Sequence, residues 1–305
     1  MSVEIKVPSI LTSHSTDMNA FSQLLPERQS LPVVVNSPHS GRYYPETFLE
    51  ASRLNKLSIR KSEDFLVDEL VKTAVDFGIP VLSAVYPRAY LDVNREPFEL
   101  DPSMFDGELP GNVNTRSIRV SSGLGTIARI VSEGEEIYSQ RLPASEAVNR
   151  IANIYRPYHT ALQNLLARTH VDFGFAILLD VHSMPSNSAA SVQENRGDIV
   201  LGDRFGSSCD ARILHQAKAI FQSLGYQVEI NRPYAGGFIT EHYGRPFNGL
   251  HALQIEVNRA LYMDEIRIAR SRSFENLALD FGHFFSEFSK MDMSSFEGSK
   301  PLAAE

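Results

Sequence analysis

The chain has 305 residues, of which 43% are apolar and 22% charged, which is the composition of an ordinary globular protein. A formal charge of −8, without any run of lysines or arginines, argues against a nucleic-acid partner, because nucleic-acid binders carry a basic patch or stripe. The first residues lack the apolar stretch of a signal peptide, and no segment is long and uncharged enough to span a bilayer. Cys209 is the single cysteine, which excludes an internal disulfide and a thiolate zinc cluster. We therefore expect a soluble protein of the cytoplasm without a membrane partner.

Apolar runs of strand length alternate with segments of helical periodicity along most of the chain. We predict strands over residues 31–36, 80–85, 89–93, 175–180, 227–231 and 252–257. We predict helices over residues 65–77, within 135–169, over 211–224 and over 265–286. Gly78 and Gly225 stand where the C-terminal caps of two helices are expected. The alternation predicts an α/β fold with helices on both faces of one sheet.

We expect residues 1–290 to form a single domain and residues 291–305, which are small, polar and charged, to be a disordered tail. The stretch 101–119 is polar and rich in proline, asparagine and glycine, without a clear period. We interpret it as a long loop over the sheet rather than as a linker between domains. Loops of this length inside a compact domain are often functional.

Two histidines, His39 and His182, each stand just past an apolar run, and each is followed at once by serine. We interpret both as residues that leave buried strands. Ligands of open α/β sheets bind at the carboxyl ends of the strands, so two histidines delivered there from distant segments indicate one site. The pair predicts a metal site of the hydrolytic kind.

A hydrolytic zinc site uses three protein ligands and leaves a fourth position for water, so the histidines need a third partner. The acidic pair Glu63 and Asp64, at the start of the helix predicted from residue 65, is the obvious source. The simpler interpretation is that Ser62 caps this helix and that the two acids complement its dipole. Asp180 lies two residues before His182 on the same side of the strand, where it can orient the imidazole. For His39, a role in a tight turn is the alternative.

Glu256 interrupts an otherwise apolar strand, where a buried carboxylate is costly unless it is paired or used in catalysis. We predict that it is the general base that takes a proton from water. The alternative is a buried salt bridge with an arginine such as Arg259.

The segment 86–95 places Arg88, Asp92, Asn94 and Arg95 near one strand end. Arginines are suited to capturing a carboxylate and to stabilising an oxyanion, so we predict such a role for Arg88 or Arg95. For Asp92, a structural network with arginine is the favoured role. Arg42, beside His39, is a further candidate for contact with a substrate.

Seven short motifs occur in one order between about residues 31 and 263. They are Ser37-Pro-His39-Ser-Gly41, the Asp64 helix start, Arg88 to Arg95, Gly123-Leu-Gly125, Asp180-Val-His182-Ser183, Gly236 to Pro246, and Leu253-Gln-Ile-Glu256. Together they resemble the N-formylglutamate amidohydrolase (deformylase) family. The resemblance implies a fold similar to that of the zinc carboxypeptidases, a three-layer arrangement with a mixed, mostly parallel sheet. It also implies one zinc ion and the hydrolysis of N-formyl-L-glutamate to formate and L-glutamate, in histidine degradation.

By this resemblance His39, His182 and Asp64 match the metal ligands, Glu63 is the second choice for the acid, and Glu256 matches the catalytic glutamate. The residues that the resemblance and the arginine-rich segment assign to substrate binding are Arg42, Asn94, Gly236, Gly237, His242 and Arg245. The resemblance suggests that some members of this family carry a basic residue near the Gly-Gly pair, where this chain has Ala235. Arg42, Arg95 and Arg245 are then the cations available for the glutamate side chain.

Two other functions stay open from the sequence. One is a deacylase or carboxypeptidase-like hydrolase of another N-acyl amino acid or a peptide. The other is a binding module that has the fold without the catalysis. The resemblance implies a small-molecule N-acyl amino acid substrate as the partner, and no feature of the sequence predicts the oligomeric state.

Overall fold

A seven-stranded mixed sheet forms the centre of the computed structural model, which describes residues 18–131, 134–186, 197–293 and 296. The strands in chain order are β1 (Phe21–Leu24), β2 (Val33–Ser37), β3 (Val81–Ala84), β4 (Phe105–Asp106), β5 (Leu142–Pro143), β6 (Ala176–Met184), β7 (Ile199–Gly202), β8 (Val228–Ile230), β9 (Leu250–Asn258), β10 (Met263–Asp264) and β11 (Ala269–Arg270). β4 pairs with β5 and β10 with β11, and the other seven form the sheet in the order β1-β3-β2-β6-β9-β7-β8. β3, β2, β6 and β9 run parallel, as do β7 and β8, whereas the β1–β3 and β7–β9 pairs are antiparallel. The expected mixed, mostly parallel sheet is confirmed.

Helices cover both faces of this sheet. They are α1 (Glu46–Ala51), α2 (Val67–Val71), α3 (Ile118–Ser121), α4 (Ala144–Arg150), α5 (Arg156–Phe173), α6 (Ala211–Ser223), α7 (Phe238–Tyr243) and α8 (Phe274–Phe288). A π-helical turn, Ile151–Tyr155, joins α4 to α5 in one continuous helical segment. α5 packs on β2 and β6 from one side, and α2, α6 and α8 cover the other side. The three-layer arrangement is confirmed.

Side chains alternate between two apolar cores along the central strands, as the pleat of a strand requires. Val34 and Leu178 face the core on the α5 side, and Val35 and Leu179 face the core under α2, α6 and α8. All four side chains are fully buried. The central strands are therefore apolar on both faces where they begin.

Toward the carboxyl ends of β2, β6 and β9, the face on the α5 side changes from apolar to polar. The polar side chains that continue the apolar rows are Asn36, Asp180, His182, Gln254 and Glu256. The strand register sets Asn36 beside Asp180, Asp180 beside Gln254, and His182 beside Glu256. All five are buried, so the sheet itself forms the floor of a polar site.

Five of the six predicted strands are confirmed with shifted ends, but the strand predicted over 89–93 is wrong. These residues form a turn in which the amides of Tyr90 and Leu91 donate to the carbonyl oxygen of Pro87, at 2.9 and 3.1 Å. Their apolar side chains pack in the core on the α5 side without sheet pairing. The half-exposed edge strand β1 and the four-residue strand β7 were missed, because runs this short give little periodic signal.

The helix predicted over 211–224 is confirmed by α6, and the one within 135–169 by α4 and α5. The helix predicted over 65–77 is α-helical only in α2. It continues as 3₁₀ turns over Lys72–Phe77 and ends at Gly78 with φ of 73°. The helix predicted over 265–286 begins only at Phe274, because β10 and β11 form a hairpin across residues 263–270.

The division into a domain over 1–290 and a disordered tail stays a prediction. Residues 1–17, 294–295 and 297–305 lie outside the described residues, while Phe296 is buried with its ring centroid 5.6 Å from that of Phe175. Within the described ranges, no helix combines the length and the apolar character needed to cross a membrane.

Gly41 lies two residues after His39, where the chain passes close to Tyr86. A Cβ at this position would lie 2.1 Å from the carbonyl oxygen of Tyr86. We expect Gly41→Ala to lower the free energy of unfolding by about 1–3 kcal/mol, because the backbone must move, and urea unfolding measures this loss. Gly111→Ala is the matched control, since its Cβ would meet nothing within 4 Å. Equal stability of the two variants would contradict the close approach.

Candidate metal centre

Three buried side chains, His39, Asp64 and His182, meet above the carboxyl ends of β2 and β6. Nδ1 of His182 lies 3.1 Å from Nδ1 of His39 and 3.1 Å from Oδ2 of Asp64, and the third distance, from His39 Nδ1 to Asp64 Oδ2, is 3.5 Å. In a tetrahedral zinc site with bonds of 2.0–2.1 Å, ligand atoms stand about 3.3 Å apart. The three atoms therefore have the spacing of three corners of such a tetrahedron.

The local chain explains how these side chains reach one point. His39 follows β2, and its carbonyl oxygen accepts a hydrogen bond of 3.0 Å from the amide of Asp64, which ties the two loops together. His182 lies inside β6, which continues to Met184, so the prediction that it leaves the strand is wrong. The capping interpretation of Ser62 is also wrong, because α2 begins at Val67 after Leu66, without a side-chain cap.

A carboxylate orients His39. Its Nε2 donates to Oδ1 of Asp92 at 2.8 Å, which leaves the lone pair of Nδ1 facing the cluster. Asp92 is held in turn by Arg88 at 2.8 Å and by the amide of Asn94 at 2.8 Å. The network of Asp92 with arginine is present as predicted, and its bond to His39 was missed.

His182 has a matching support on its own strand. Its Nε2 donates to Oδ2 of Asp180 at 3.1 Å, so Nδ1 again faces the cluster, where it can ligate a cation once it has lost its proton. Oδ1 of Asp180 accepts a hydrogen bond of 2.7 Å from Nδ2 of Asn36. The orienting role predicted for Asp180 agrees with this geometry.

Asp64, and not Glu63, lies with the two histidines. Oδ1 of Asp64 accepts hydrogen bonds from Ser183 Oγ at 3.1 Å and from Arg259 Nη2 at 3.2 Å, which leaves Oδ2 for the cluster. Glu63 instead accepts hydrogen bonds from Arg60 at 2.9 Å and from Tyr44 at 3.0 Å.

The electrostatics of the cluster favour positive charge at its centre. Burial opposes ionisation of Asp64, but its interactions with the side chains of His182 and His39 outweigh it and hold the pKa of this carboxyl well below its usual range. Burial likewise opposes charge on His182, but Asp180 and Asp64 outweigh it and raise the pKa of the imidazole well above its usual range. A divalent cation bound at this point would supply the positive charge that these carboxylates stabilise. Two imidazole nitrogens and one carboxylate oxygen are a donor set that fits zinc.

Glu256 lies beside His182 in the neighbouring strand. Gln254 donates a hydrogen bond of 2.9 Å to its Oε1, and burial raises the pKa of the Glu256 carboxyl to about 7. Arg259, the salt-bridge partner considered from the sequence, bonds Asp64 and Ser183 instead. A carboxyl group with this pKa can accept and return a proton near neutral pH.

The cluster and Glu256 lie in a cavity of about 460 Å³. The cationic side chains that line it are Lys61, Arg88, Arg95, Arg119 and Arg259. The donors of Arg95 are engaged by the carbonyl oxygens of Leu124 at 2.8 Å and Asn94 at 2.7 Å. Among the described residues, Arg88 has a single hydrogen-bond partner, Asp92, so its guanidinium keeps donors for a ligand.

The residues predicted to bind substrate divide into two groups. Asn94, Gly236 and Gly237 line the cavity. Among the described residues, Arg42 and Arg245 are not part of the cavity lining. Arg42 instead pairs with Asp68 through two hydrogen bonds of 2.6 and 2.9 Å, and Arg245 donates to the carbonyl oxygen of Gly244.

Among the described residues, His242 is also not part of the cavity lining, and its ring stacks on Phe238 at a centroid distance of 5.0 Å.

A glycine is needed at position 237 beside the site, since a Cβ on Gly237 would lie 2.5 Å from Nδ2 of Asn94. Sequence reasoning missed Arg119 as a cavity residue, and the only signal for it was the unusual length of the loop 101–119.

Residues 31–263 match the family model of N-formylglutamate amidohydrolase. The N-formylglutamate deformylases of Pseudomonas aeruginosa and Pseudomonas putida are 28% and 29% identical to this chain over 243 and 238 residues. These matches cover 78% and 77% of this chain and 85% and 83% of the two relatives. The crystal structure of an N-formylglutamate amidohydrolase from Ralstonia eutropha JMP134 superposes with a TM-score of 0.83 and 33% identity, over 88% of this chain and 96% of that one.

Replacing the acid of the cluster tests the metal site. We expect Asp64→Asn to weaken Zn²⁺ binding by at least about 100-fold, because a ligand loses its charge, and chelator competition measures the dissociation constant. Glu63→Gln is the matched control, since it removes the neighbouring acid and its bonds to Arg60 and Tyr44 but leaves the cluster intact. Loss of zinc from the Glu63 variant with retention in the Asp64 variant would make Glu63 the ligand.

Proposed function

This chain belongs to the N-formylglutamate amidohydrolase family, and on that premise we propose that it is a zinc-dependent hydrolase that converts N-formyl-L-glutamate and water to formate and L-glutamate, in histidine degradation. One observation carries the proposal: the buried cluster of His39, Asp64 and His182 faces the same cavity as Glu256. Three ligands, an open side and an adjacent carboxylate of raised pKa are the parts that metal-assisted hydrolysis needs.

His39, Asp64 and His182 would hold the zinc ion, which would supply Lewis acidity to the formyl carbonyl and to the attacking water. Glu256 takes a proton from the attacking water as the new C–O bond forms at the formyl carbon. It then gives this proton to the amide nitrogen as the C–N bond breaks. Formic acid and the free amine of glutamate result, and Glu256 is a carboxylate again. The second proton of the water then passes from formic acid to the amine or to solvent, which gives formate and L-glutamate.

Arg88 is assigned to the oxyanion that develops on the formyl oxygen. It lines the cavity and bonds Asp92, the partner of His39, so its guanidinium lies next to the metal ligands. A cation placed before the reaction stabilises this charge without having to reorganise. Arg95 is assigned a supporting role, because its donors hold backbone carbonyl oxygens.

Arg119 is assigned to the side-chain carboxylate of the substrate, in place of Arg42 and Arg245. It lines the cavity, its side chain is 35% exposed, and its ion pair with Glu99 is long, at 3.7 Å. Lys61, the other half-exposed cation of the lining, forms a shorter pair of 2.8 Å with Glu135. Arg119 is therefore the less closely paired of the two cations.

Formate release from N-formyl-L-glutamate tests the reaction, before chelation, after chelation and with zinc restored. We expect release to require the metal, and we expect Glu256→Gln to keep zinc but to lower kcat by at least about 100-fold, because the proton carrier is lost. Glu229→Gln, an exposed glutamate of β8, is the matched control. Stoichiometric zinc without formate, but with turnover of another N-acyl amino acid, would favour a different deacylase, and the absence of both zinc and turnover would overturn the proposal.

Specificity tests the role of Arg119. We expect Arg119→Gln to raise KM for N-formyl-L-glutamate by about 10–100-fold, the loss expected for a charged hydrogen bond, and to leave KM for N-formyl-L-glutamine nearly unchanged. Steady-state kinetics with the two substrates give this ratio. Arg116→Gln, an exposed arginine of the same loop, is the control. An equal change in KM for both substrates would show that Arg119 does not bind the side-chain carboxylate.

A further inference from the structure

Side chains of the helical segment from α4 to α5 form hydrogen bonds with the groups that hold His39 and His182 in place. We propose that the adjacent residues Tyr158 and His159 on α5 are positioning residues of the metal centre. Tyr158 acts on His182 through Asn36 and Asp180. His159 acts on His39 through the turn that carries Asp92. The inference rests on the metal site of the proposed function but not on the identity of the substrate.

The first branch is a chain of three hydrogen bonds among buried groups. Tyr158 Oη donates to Asn36 Oδ1 at 2.5 Å, Asn36 Nδ2 donates to Asp180 Oδ1 at 2.7 Å, and His182 Nε2 donates to Asp180 Oδ2 at 3.1 Å. Tyr158, Asn36 and Asp180 expose no surface, so water cannot replace a lost partner. The tyrosine hydroxyl satisfies Asn36 Oδ1 and so holds the amide that donates to Asp180. Without the hydroxyl, Asn36 Oδ1 is buried without this donor, and an amide that moves to find another weakens its hold on the carboxylate that orients His182.

The second branch holds the turn that carries Asp92. His159 Nε2 donates to the carbonyl oxygen of Val93 at 2.8 Å, and its Nδ1 accepts a hydrogen bond of 2.7 Å from Tyr243. Burial lowers the pKa of His159 to about 4, so the ring is neutral at pH 7. Asp92 precedes Val93 and accepts the hydrogen bond from His39 at 2.8 Å. A shift of this turn therefore moves the carboxylate that orients His39.

Neighbouring side chains of the helical segment strengthen the second branch. Arg150 donates to the carbonyl oxygen of Tyr90 at 2.9 Å, and Tyr155 donates to that of Arg95 at 2.7 Å. The rings of Tyr155 and His159 stack with centroids 4.2 Å apart. Three side chains in a row thus bond three carbonyl oxygens of one irregular stretch, which pairs with no strand among the described residues.

The π-helical turn is what aligns this row. A π-turn bonds residues five apart, so Arg150 and Tyr155 face the same side, and His159 follows four residues later in regular α-helix. Pro157 accounts for the π-turn, because its ring lacks an amide hydrogen and would clash with the carbonyl of Asn153 in a regular α-helix. The helix is thus irregular at the place where it bonds the site.

Tyr158→Phe removes one hydroxyl and keeps the ring. We expect the full-length variant to bind Zn²⁺ about 10–100-fold more weakly than the parent, measured by chelator competition. Tyr226→Phe is the matched control, because it removes a hydroxyl bonded to Asp280 at 2.5 Å on the other side of the sheet. Unfolding of the metal-free proteins is measured in parallel, since a purely structural role lowers stability without changing metal affinity. Parent affinity in Tyr158→Phe would overturn the first branch.

A double variant tests whether Tyr158 acts through Asp180. If it does, Tyr158→Phe combined with Asp180→Asn binds zinc no more weakly than Asp180→Asn alone, whereas additive losses would contradict the chain. For the second branch, His159→Phe should weaken zinc binding, and His159→Gln, which keeps a donor, should recover part of the affinity. An unchanged dissociation constant in His159→Phe would overturn that branch.

The parent protein separates this inference from the proposed function. If the parent binds no zinc, the metal site fails and the positioning roles fail with it. If the parent binds zinc but releases no formate, only the proposed substrate fails, and the affinities of the Tyr158 and His159 variants still decide the inference.

Discussion

The parallel register of β2, β6 and β9 is the constraint on which the site depends. Each strand begins apolar on both faces and turns polar on the α5 side toward its carboxyl end. Because the register is fixed, Asn36, Asp180 and Gln254 form one row, and His182 and Glu256 form the next. A slip of one residue in any of these strands would turn its polar side chains into the opposite core. The strand pairing that forms the sheet therefore also positions the polar side chains of the site.

Burying several carboxylates in one place is costly unless each has partners that are themselves held. Asp92 and Asp64 meet this condition, because each accepts hydrogen bonds from an arginine and from a second donor. Glu256 is the exception, since Gln254 is its one hydrogen-bond partner among the described residues. Of these three acids, Glu256 accepts the fewest hydrogen bonds and has the highest pKa. The arrangement thus favours the charged form of Asp64 and Asp92 and the protonated form of Glu256.

The sequence predicted the layers, most strands and the side chains that meet in the cavity because these leave local signals. His39 follows an apolar strand, and Glu256 interrupts one. The same reasoning produced a false strand at 89–93, because a buried turn and a buried strand have similar composition. The links from Tyr158 to Asn36 and from Asp92 to His39 depend on register and on contacts 122 and 53 residues apart, which no local pattern contains. Supports of this kind become visible only in three dimensions.

The cavity and the whole chain have opposite electrostatic character. The chain carries a formal charge of −8, whereas five cationic side chains and only three acidic ones of the described residues, Asp64, Asp92 and Glu256, line the cavity. A dianionic molecule is therefore repelled by the protein as a whole at long range and attracted at one opening at short range. At physiological ionic strength, salt screens interactions between exposed charges beyond about 8 Å, which weakens the long-range repulsion. The attraction inside the cavity acts at shorter distances and is screened much less. Capture of the anion then depends on the mouth of the cavity rather than on steering from a distance.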